Sequence, residues 1–324
     1  MSILVSINCI TYNHEKYIAD AIESFLMQKT NFNFEILIGE DCSTDGTKKI
    51  VDLYAKKYPG KIQMITSTQN VGARKNSQRL IDNSKGKYIA ECEGDDYWID
   101  PYKLQKQVDY LEDNPGCTLC FHAAEVVQAP KKATSRKIKP YRTNRISPLE
   151  DFITGGGGFC HTASLVYPRT LMMTPAVFHQ TAHAGDYAMQ LYLASQGYAY
   201  YLDDCMSAYR IGVEGSWTNR MYSKGNQKEN MITVYEGDIK LLQGFNAYTK
   251  SSFSSEVENM IGKREFAIMI LKRRFMRPQS TKREYIDELG AKEKLKIYAL
   301  CSFPKIYVKL ADIRSFIVNN KLFS

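Results

Sequence analysis

The stretch KYIAECEGDDYW, residues 87–98, joins a short apolar run to four carboxylates within six residues. Its first half, Lys87 to Cys92, reads as a β-strand, and Glu91, Glu93, Asp95 and Asp96 gather where that strand ends. Carboxylates held so close repel one another and raise their own pKa values unless a cation is present. Hard oxygen donors of this kind suit Mg²⁺ or Mn²⁺, which typically bind through one or two carboxylates plus substrate phosphates. The competing reading is a solvated acidic loop, against which stand the flanking Tyr97 and Trp98.

Upstream, strands alternate with helical patterns. Residues 2–10, 34–39 and 62–66 read as strands, and residues 14–29, 44–58 and 73–84 as helices, with Pro59 and Gly60 as a stop signal. This alternation marks βαβ units and a parallel sheet. Downstream, residues 101–112 read as a helix that begins with a proline, and residues 117–127 as a strand. Residues 128–160, with a basic run from Lys131 to Lys139 and four glycines at 155–158, read as a mobile surface segment. A helix over 186–196 and strands over 198–202 and 206–211 follow, and from about Met221 the periodicity is mostly helical.

Ligands of open α/β sheets bind outside the carboxyl ends of the strands, so the polar residues just beyond each strand carry the functional argument. Thr11, Tyr12 and Asn13 follow the first strand and offer a helix N-terminus to an anion, or simple capping. GEDCSTDGT, residues 39–47, follows the second; capping explains Ser43, Thr44 and Asp45 but not the adjacent Glu40 and Asp41.

Composition excludes several classes. A 324-residue chain with 44% hydrophobic and 24% charged residues is neither disordered nor collagen-like. The longest uncharged stretch, 152–168, contains four glycines and His161, so no membrane span is expected. The N-terminus lacks the basic flank of a secretory signal, and the eight cysteines are scattered as reduced thiols would be, which points to the cytoplasm. Cys117 and Cys120 form a CxxC without a second ligand pair and read as buried strand; His179 and His183 are four apart but lack the glutamate of a zinc-protease helix. No G-x-G-x-x-G follows the first strand, which argues against a dehydrogenase. The net charge of +8 is C-terminal: residues 260–324 carry fifteen Lys and Arg against six Asp and Glu. Acids at the expected cleft would repel phosphate backbones, so nucleic acid is not an expected partner.

SINCITYNHEKYIADAIESFLMQ, GEDCSTDGT, the turn Asn70-Val71-Gly72 and ECEGDDYW, in this order and spacing, resemble the N-terminal half of family 2 glycosyltransferases. The resemblance spans about residues 1–217 and implies the GT-A fold, a Rossmann-like mixed sheet flanked by helices. It divides residues 1–217 into a nucleotide-sugar half, 1–127, and an acceptor half, 128–217, and leaves 218–324 as a helical basic C-terminal region. It implies metal-dependent, inverting transfer, with Mn²⁺ or Mg²⁺, from a nucleotide-diphosphate sugar to a hydroxyl of a saccharide or lipid-linked saccharide in cell-surface polysaccharide synthesis. The expected donor is a UDP-sugar. A catalytically inactive nucleotide- or carbohydrate-binding module is the alternative.

By this resemblance, Thr11, Tyr12, Asn13 and Asp41 hold the nucleoside, with Asp41 accepting from the base. Asp96 is the direct metal ligand and Asp95 contacts ribose or metal, while Glu93 stands where many relatives carry aspartate. Arg74 and Lys75, after the Asn-x-Gly turn, reach base or phosphate, or are ordinary surface charge. Asp186 resembles the downstream acid that deprotonates the acceptor hydroxyl; N-capping is its alternative. Tyr209-Arg210-Ile211-Gly212 resembles the family's Tyr-Arg-x-His segment, with Gly212 in place of histidine and Arg210 facing the leaving diphosphate. His161, Trp217 and Glu93 fall on the acceptor side. The basic C-terminus suggests peripheral attachment to an anionic membrane, at the inner face of the plasma membrane, or a helical lid with a solvated basic face.

Overall fold

The computed structural model describes residues 2–221 and 226–272. The first βαβαβ run is β1 (Ile3–Thr11), α1 (Ile18–Leu26), β2 (Asn33–Glu40), α2 (Thr47–Lys57) and β3 (Ile62–Thr66). It continues through α3 (Ala73–Asn83), β4 (Tyr88–Glu91), the two-residue β5 (Tyr97–Trp98), α4 (Lys103–Asp113) and β6 (Cys117–Gln128). Next come β7 (Lys132–Ile138), β8 (Arg145–Ser147), α5 (Leu149–Gly155), two single 3₁₀ turns and β9 (Val166–Pro168). The last elements among the described residues are α6 (Arg169–Met173), α7 (Val177–Thr181), α8 (Gly185–Ser195), β10 (Tyr198–Ile211), α9 (Trp217–Met221), α10 (Gln227–Tyr248) and α11 (Ser254–Leu271).

The ten strands of the described residues share one sheet, whose main path runs β3-β2-β1-β4-β9-β6-β10-β5. β3, β2, β1 and β4 are mutually parallel. β9 then runs antiparallel to both β4 and β6, and β6 is parallel to β10. The carboxyl ends of β1, β2, β4, β6 and β10 therefore lie along one edge. β1 has both faces covered, as a central parallel strand requires. Val5, Ile7 and Cys9 are fully buried on one face, and Ser6 and Asn8 are buried on the other.

Two large apolar cores form among the described residues, beside a small cluster of Tyr235, Ala267 and Leu271. Phe25, Ile38, Trp98, Leu104 and Cys120 belong to one, while Phe121, Phe152, Leu191, Leu242, Phe245 and Met260 belong to the other. Helices α10 and α11 thus add their apolar residues to the same core as α5 and α8.

Three expectations change. Residues 128–160 are not a loose segment: β7 pairs antiparallel with β6 and β8 with β10. The glycine run is tied to α8 at Gly157, since Gln190 donates to the carbonyls of Gly157 (3.2 Å) and Cys160 (3.1 Å). The two strands expected around Asp203 and Asp204 are one, β10, because register shifts between Leu202 and Ser207 accommodate the acidic pair as a bulge. Among the described residues no helix is long and apolar enough to cross a membrane. Most of the basic C-terminal surplus, residues 273–324, expected to meet a membrane or form a helical lid, lies outside the described residues.

Candidate active site

The loops after β1 and β2 are laced together. Asn13 N–H donates to Ser43 Oγ (3.0 Å), and Asn13 Oδ1 accepts from Thr44 N–H (2.8 Å). His14 N–H donates to Thr47 Oγ1 (2.8 Å), and Glu15 Oε2 accepts from Gly46 N–H (2.7 Å). These bonds hold Asn13 (φ 57°) and Cys42 (φ 59°) in the left-handed region, which costs a non-glycine residue about 1–2 kcal/mol. Glu40, which capping did not explain, is fully buried and accepts from Ser43 N–H (2.6 Å) and Thr66 Oγ1 (2.9 Å). Its neighbour Asp41 accepts from Val71 N–H (2.9 Å) and Gly72 N–H (2.8 Å), which fixes the Asn-x-Gly turn beside it.

The acidic loop is suspended between β4 and β5, and β5 is pinned antiparallel to β10. Gly94 lets it cross the end of β1. Its N–H donates to the carbonyl of Ile10 (2.9 Å), and a Cβ there would lie 2.6 Å from Thr11 Oγ1 and 2.8 Å from Thr11 Cβ. Glu93, Asp95 and Asp96 each bring a carboxylate oxygen within 4.8 Å of the others. Burial first, and then the neighbouring carboxylates, push Glu93 well above the usual range; burial raises Asp95 as well. Three hard carboxylate oxygens gathered this closely are a donor set that a divalent cation fits.

Glu91 does not join them. β4 ends at Glu91, whose carboxylate accepts from the hydroxyl of Tyr167 on β9, and burial pushes its pKa up to about 7. The four acids of the sequence are three at the site and one in the sheet.

Asp96 is the best-held of the three. Its Oδ1 accepts from Arg210 N–H (2.7 Å) and its Oδ2 is bonded to His161 Nε2 (2.9 Å). His161, expected on the acceptor side, thus backs a carboxylate of the acidic cluster. His14, which the sequence did not single out, lies 3.9 Å from Asp95.

Arg210 has a different place from the diphosphate contact expected of it. It is buried between the rings of Tyr17 (4.8 Å) and Tyr97 (4.9 Å). Its guanidinium donates to the carbonyls of Pro130 (2.7 Å) and Asp95 and to Asp20 Oδ2 (2.9 Å). With these donors engaged, it braces the acidic loop from behind. Gly212 has a backbone reason of its own: φ is +78°, which strains any side chain there, and a Cβ would also require the Gln128 amide, 2.1 Å away, to swing aside. Arg74, expected to reach base or phosphate, donates instead to the carbonyls of His179 (2.9 Å), Gln180 and Ala182.

Asp186 lies in the first turn of α8, after the N-cap position Ala184, and its Oδ1 accepts from Tyr187 N–H (2.8 Å). Protein atoms crowd this carboxylate although it remains open to solvent, and that crowding raises its pKa. Its charge helps raise Glu93, so the two acids share one field. Gly157 lies beside Asp186: a Cβ there would be in ordinary contact, 3.7 Å from Asp186 Oδ2. Tyr12 (40% exposed) and Trp217 (44%) are the exposed aromatics on the β1 loop and α9. A cavity of about 570 Å³, lined by Ile146, Leu149, Tyr198, Tyr248 and Phe253, opens at the amino end of β10. That is the opposite edge from the acids, so the chemistry is placed by the carboxylates and not by that hollow.

A mixed α/β sheet that reverses strand direction after β4, flanked by helices and with acidic residues at its carboxyl edge, has the GT-A-like architecture. Residues 6–166 match the family description "Glycosyl transferase family 2", and the chain belongs to that family. It is 32% identical over 246 residues to an uncharacterized protein of Mycobacterium tuberculosis, covering 74% of this chain and 69% of the relative. It is 28% identical over 211 residues to the putative teichuronic acid biosynthesis glycosyltransferase TuaG of Bacillus subtilis, covering 64% and 79%. Among solved structures it resembles S. aureus TarS 1-349 in complex with UDP-GlcNAc (TM-score 0.54, 17% identity, 82% of each chain). It also resembles the mannosyltransferase PcManGT of Pyrobaculum calidifontis in complex with GDP-Man and Mn²⁺ (TM-score 0.58, 14% identity, 98% and 86%). The chain is a glycosyltransferase.

Proposed function

We propose that this glycosyltransferase moves a sugar with inversion from a UDP-sugar to a hydroxyl of a saccharide or lipid-linked saccharide, with Mn²⁺ or Mg²⁺ at Asp96 and Asp95. The observation that carries the reading is the convergence of Glu93, Asp95 and Asp96 at the carboxyl edge, with Asp186 in the same electrostatic field. TarS and PcManGT, named with UDP-GlcNAc and with GDP-Man and Mn²⁺, support the donor class and the ion. TuaG, named for teichuronic acid biosynthesis, supports a surface polysaccharide as the product.

A divalent ion bound there would neutralise the charge that develops on the departing diphosphate. Asp41 orients the base, while Thr11, Tyr12 and Asn13 form the nucleoside side of the cleft. His161 and Arg210 keep Asp96 and the Asp95 backbone in place, so the acids do not reorganise when charge develops. Asp186 takes the proton of the acceptor hydroxyl on Oδ2, since Oδ1 is engaged by Tyr187 N–H. A raised pKa makes it the stronger base once ionised. One displacement with a carboxylate base needs no covalent enzyme intermediate, hence inversion.

Nucleoside diphosphate release from a panel of nucleotide sugars with Mn²⁺ tests the activity. Asp186→Asn should lower turnover by about 10²- to 10⁴-fold with UDP binding intact. Undiminished turnover in folded Asp186→Asn protein overturns the base, and UDP binding that survives both chelation and Asp96→Ala overturns the ion.

A further inference from the structure

We infer that Arg74 is a positioning residue that fastens the segment carrying Asp186 to the nucleoside side of the cleft, so that nucleotide binding is felt at the base. The inference rests on the reading of Asp41 and Asp186 given above. Its structural part is independent of that reading.

Arg74 sits in the first turn of α3, two residues after Gly72, whose N–H is one of the two donors to Asp41. Gly72 has φ +84°, so the backbone turns sharply there and delivers the arginine away from the Asp41 contact within two residues. The guanidinium then meets three carbonyls, those of His179 and Gln180 in the last turns of α7 and that of Ala182 just beyond. The carbonyl of His179 also accepts from Ala182 N–H at the helix C-cap (3.4 Å); the other two lie where a helix end leaves carbonyls without intrahelical partners, and a permanent cation there also meets the negative end of the helix dipole. The planar fork of arginine can serve several acceptors at once, which a lysine ammonium on a flexible stem does less well. Three residues after Ala182 the chain enters α8, and Asp186 is its second residue.

The far side of the segment is held differently. Gly237 on α10 allows the approach of His183: a Cβ at 237 would lie 2.6 Å from His183 Cβ. Arg74 is therefore a polar tie of this connection on one side, and α10 packs against it on the other. A nucleoside that tightens Asp41 against Val71 and Gly72 also steadies α3's first turn, and through Arg74 the stretch leading to Asp186.

Amide hydrogen exchange over residues 179–186 reads this tie without any assay of turnover. Removing charge-assisted hydrogen bonds of this kind should speed exchange there by about tenfold or more in Arg74→Ala, with Arg74→Lys in between. UDP with Mn²⁺ should slow exchange over 179–186 in the wild-type protein and fail to do so in Arg74→Ala. UDP affinity itself should stay within about threefold, less than the loss of a direct charged contact would cost. Unchanged exchange in Arg74→Ala overturns the tie, and a tenfold loss of UDP affinity with unchanged exchange makes Arg74 a donor contact instead. If neither UDP nor GDP binds wild-type protein, the nucleotide reading fails, while exchange in the nucleotide-free variants still decides whether Arg74 holds the segment.

Discussion

A lysine with no exposure is an expensive residue, and Lys103 shows where the expense falls. Its Nζ lies 4.1 Å from the centre of the buried Trp98 ring and has no hydrogen-bond partner among the described residues. Burial lowers its pKa from 10.5 to about 7. Below pH 7 the folded protein must keep a charged amine out of water; between pH 7 and 10.5 the folded form is neutral while the unfolded chain still binds the proton. The contribution of Lys103 to stability therefore rises with pH across that window and is at its worst below it. Lys103→Met keeps the volume and removes the charge. It should stabilise the protein by roughly 3 kcal/mol at pH 7, since each pKa unit is worth about 1.4 kcal/mol and the lost contact with Trp98 offsets part of the gain. Urea titrations at pH 6, 8 and 10 check it: the advantage of the variant should shrink as pH rises, and a constant difference would mean that the amine is solvated. From sequence, Lys103 is one more charge in the first turn of a helix. Nothing local reveals that the turn is driven beneath Trp98.

At the scale of elements, the acidic loop depends on one glycine. An alanine at 94 would place its Cβ against Thr11 Oγ1 and Cβ and 3.0 Å from His14 Nδ1, neither flank able to yield without moving β1's end or the loop. Gly94→Ala should lower Mn²⁺ affinity at least about tenfold, as expected when ligands are displaced from their geometry. Thr11→Gly in the same chain should recover much of it. Manganese titration followed by electron paramagnetic resonance measures both, and wild-type affinity in Gly94→Ala would detach the loop from the ion. The sequence shows this loop as acids after a strand, because strand periodicity and the turn-forming glycine are local. It does not show that Glu91 stays in the sheet, since one residue decides where β4 stops. Nor does it show that Arg210 reaches Asp95, since that contact spans 115 positions. β7 escapes notice for another reason. Its Lys-Ala-Thr-Ser-Arg-Lys-Ile run is polar on both faces, as suits a strand protected by charge against further pairing, so it reads as loop.

At the scale of the molecule, the basic surplus and the core divide the C-terminal region between them. α10 and α11 give Leu241, Leu242, Phe245, Val257 and Met260 to the core shared with α8, and Arg264 on α11 pairs with Asp238 on α10 (2.9 Å). A chain cut at 260 would lose most of α11, and its failure to bind vesicles would reveal nothing about charge. Cutting after Lys272 respects the core. It removes twelve Lys and Arg and five Asp and Glu, a surplus of seven positive charges. If this surplus serves an anionic membrane surface, where each basic residue near the lipid contributes about 1 kcal/mol, the full chain should sediment with phosphatidylglycerol-rich vesicles at low salt and be released as salt is raised. The chain ending at 272 should stay in the supernatant while keeping its melting temperature and its UDP affinity. Equal sedimentation of the two chains removes the membrane from the account. A drop in melting temperature of the shorter chain would instead assign the last residues to the fold.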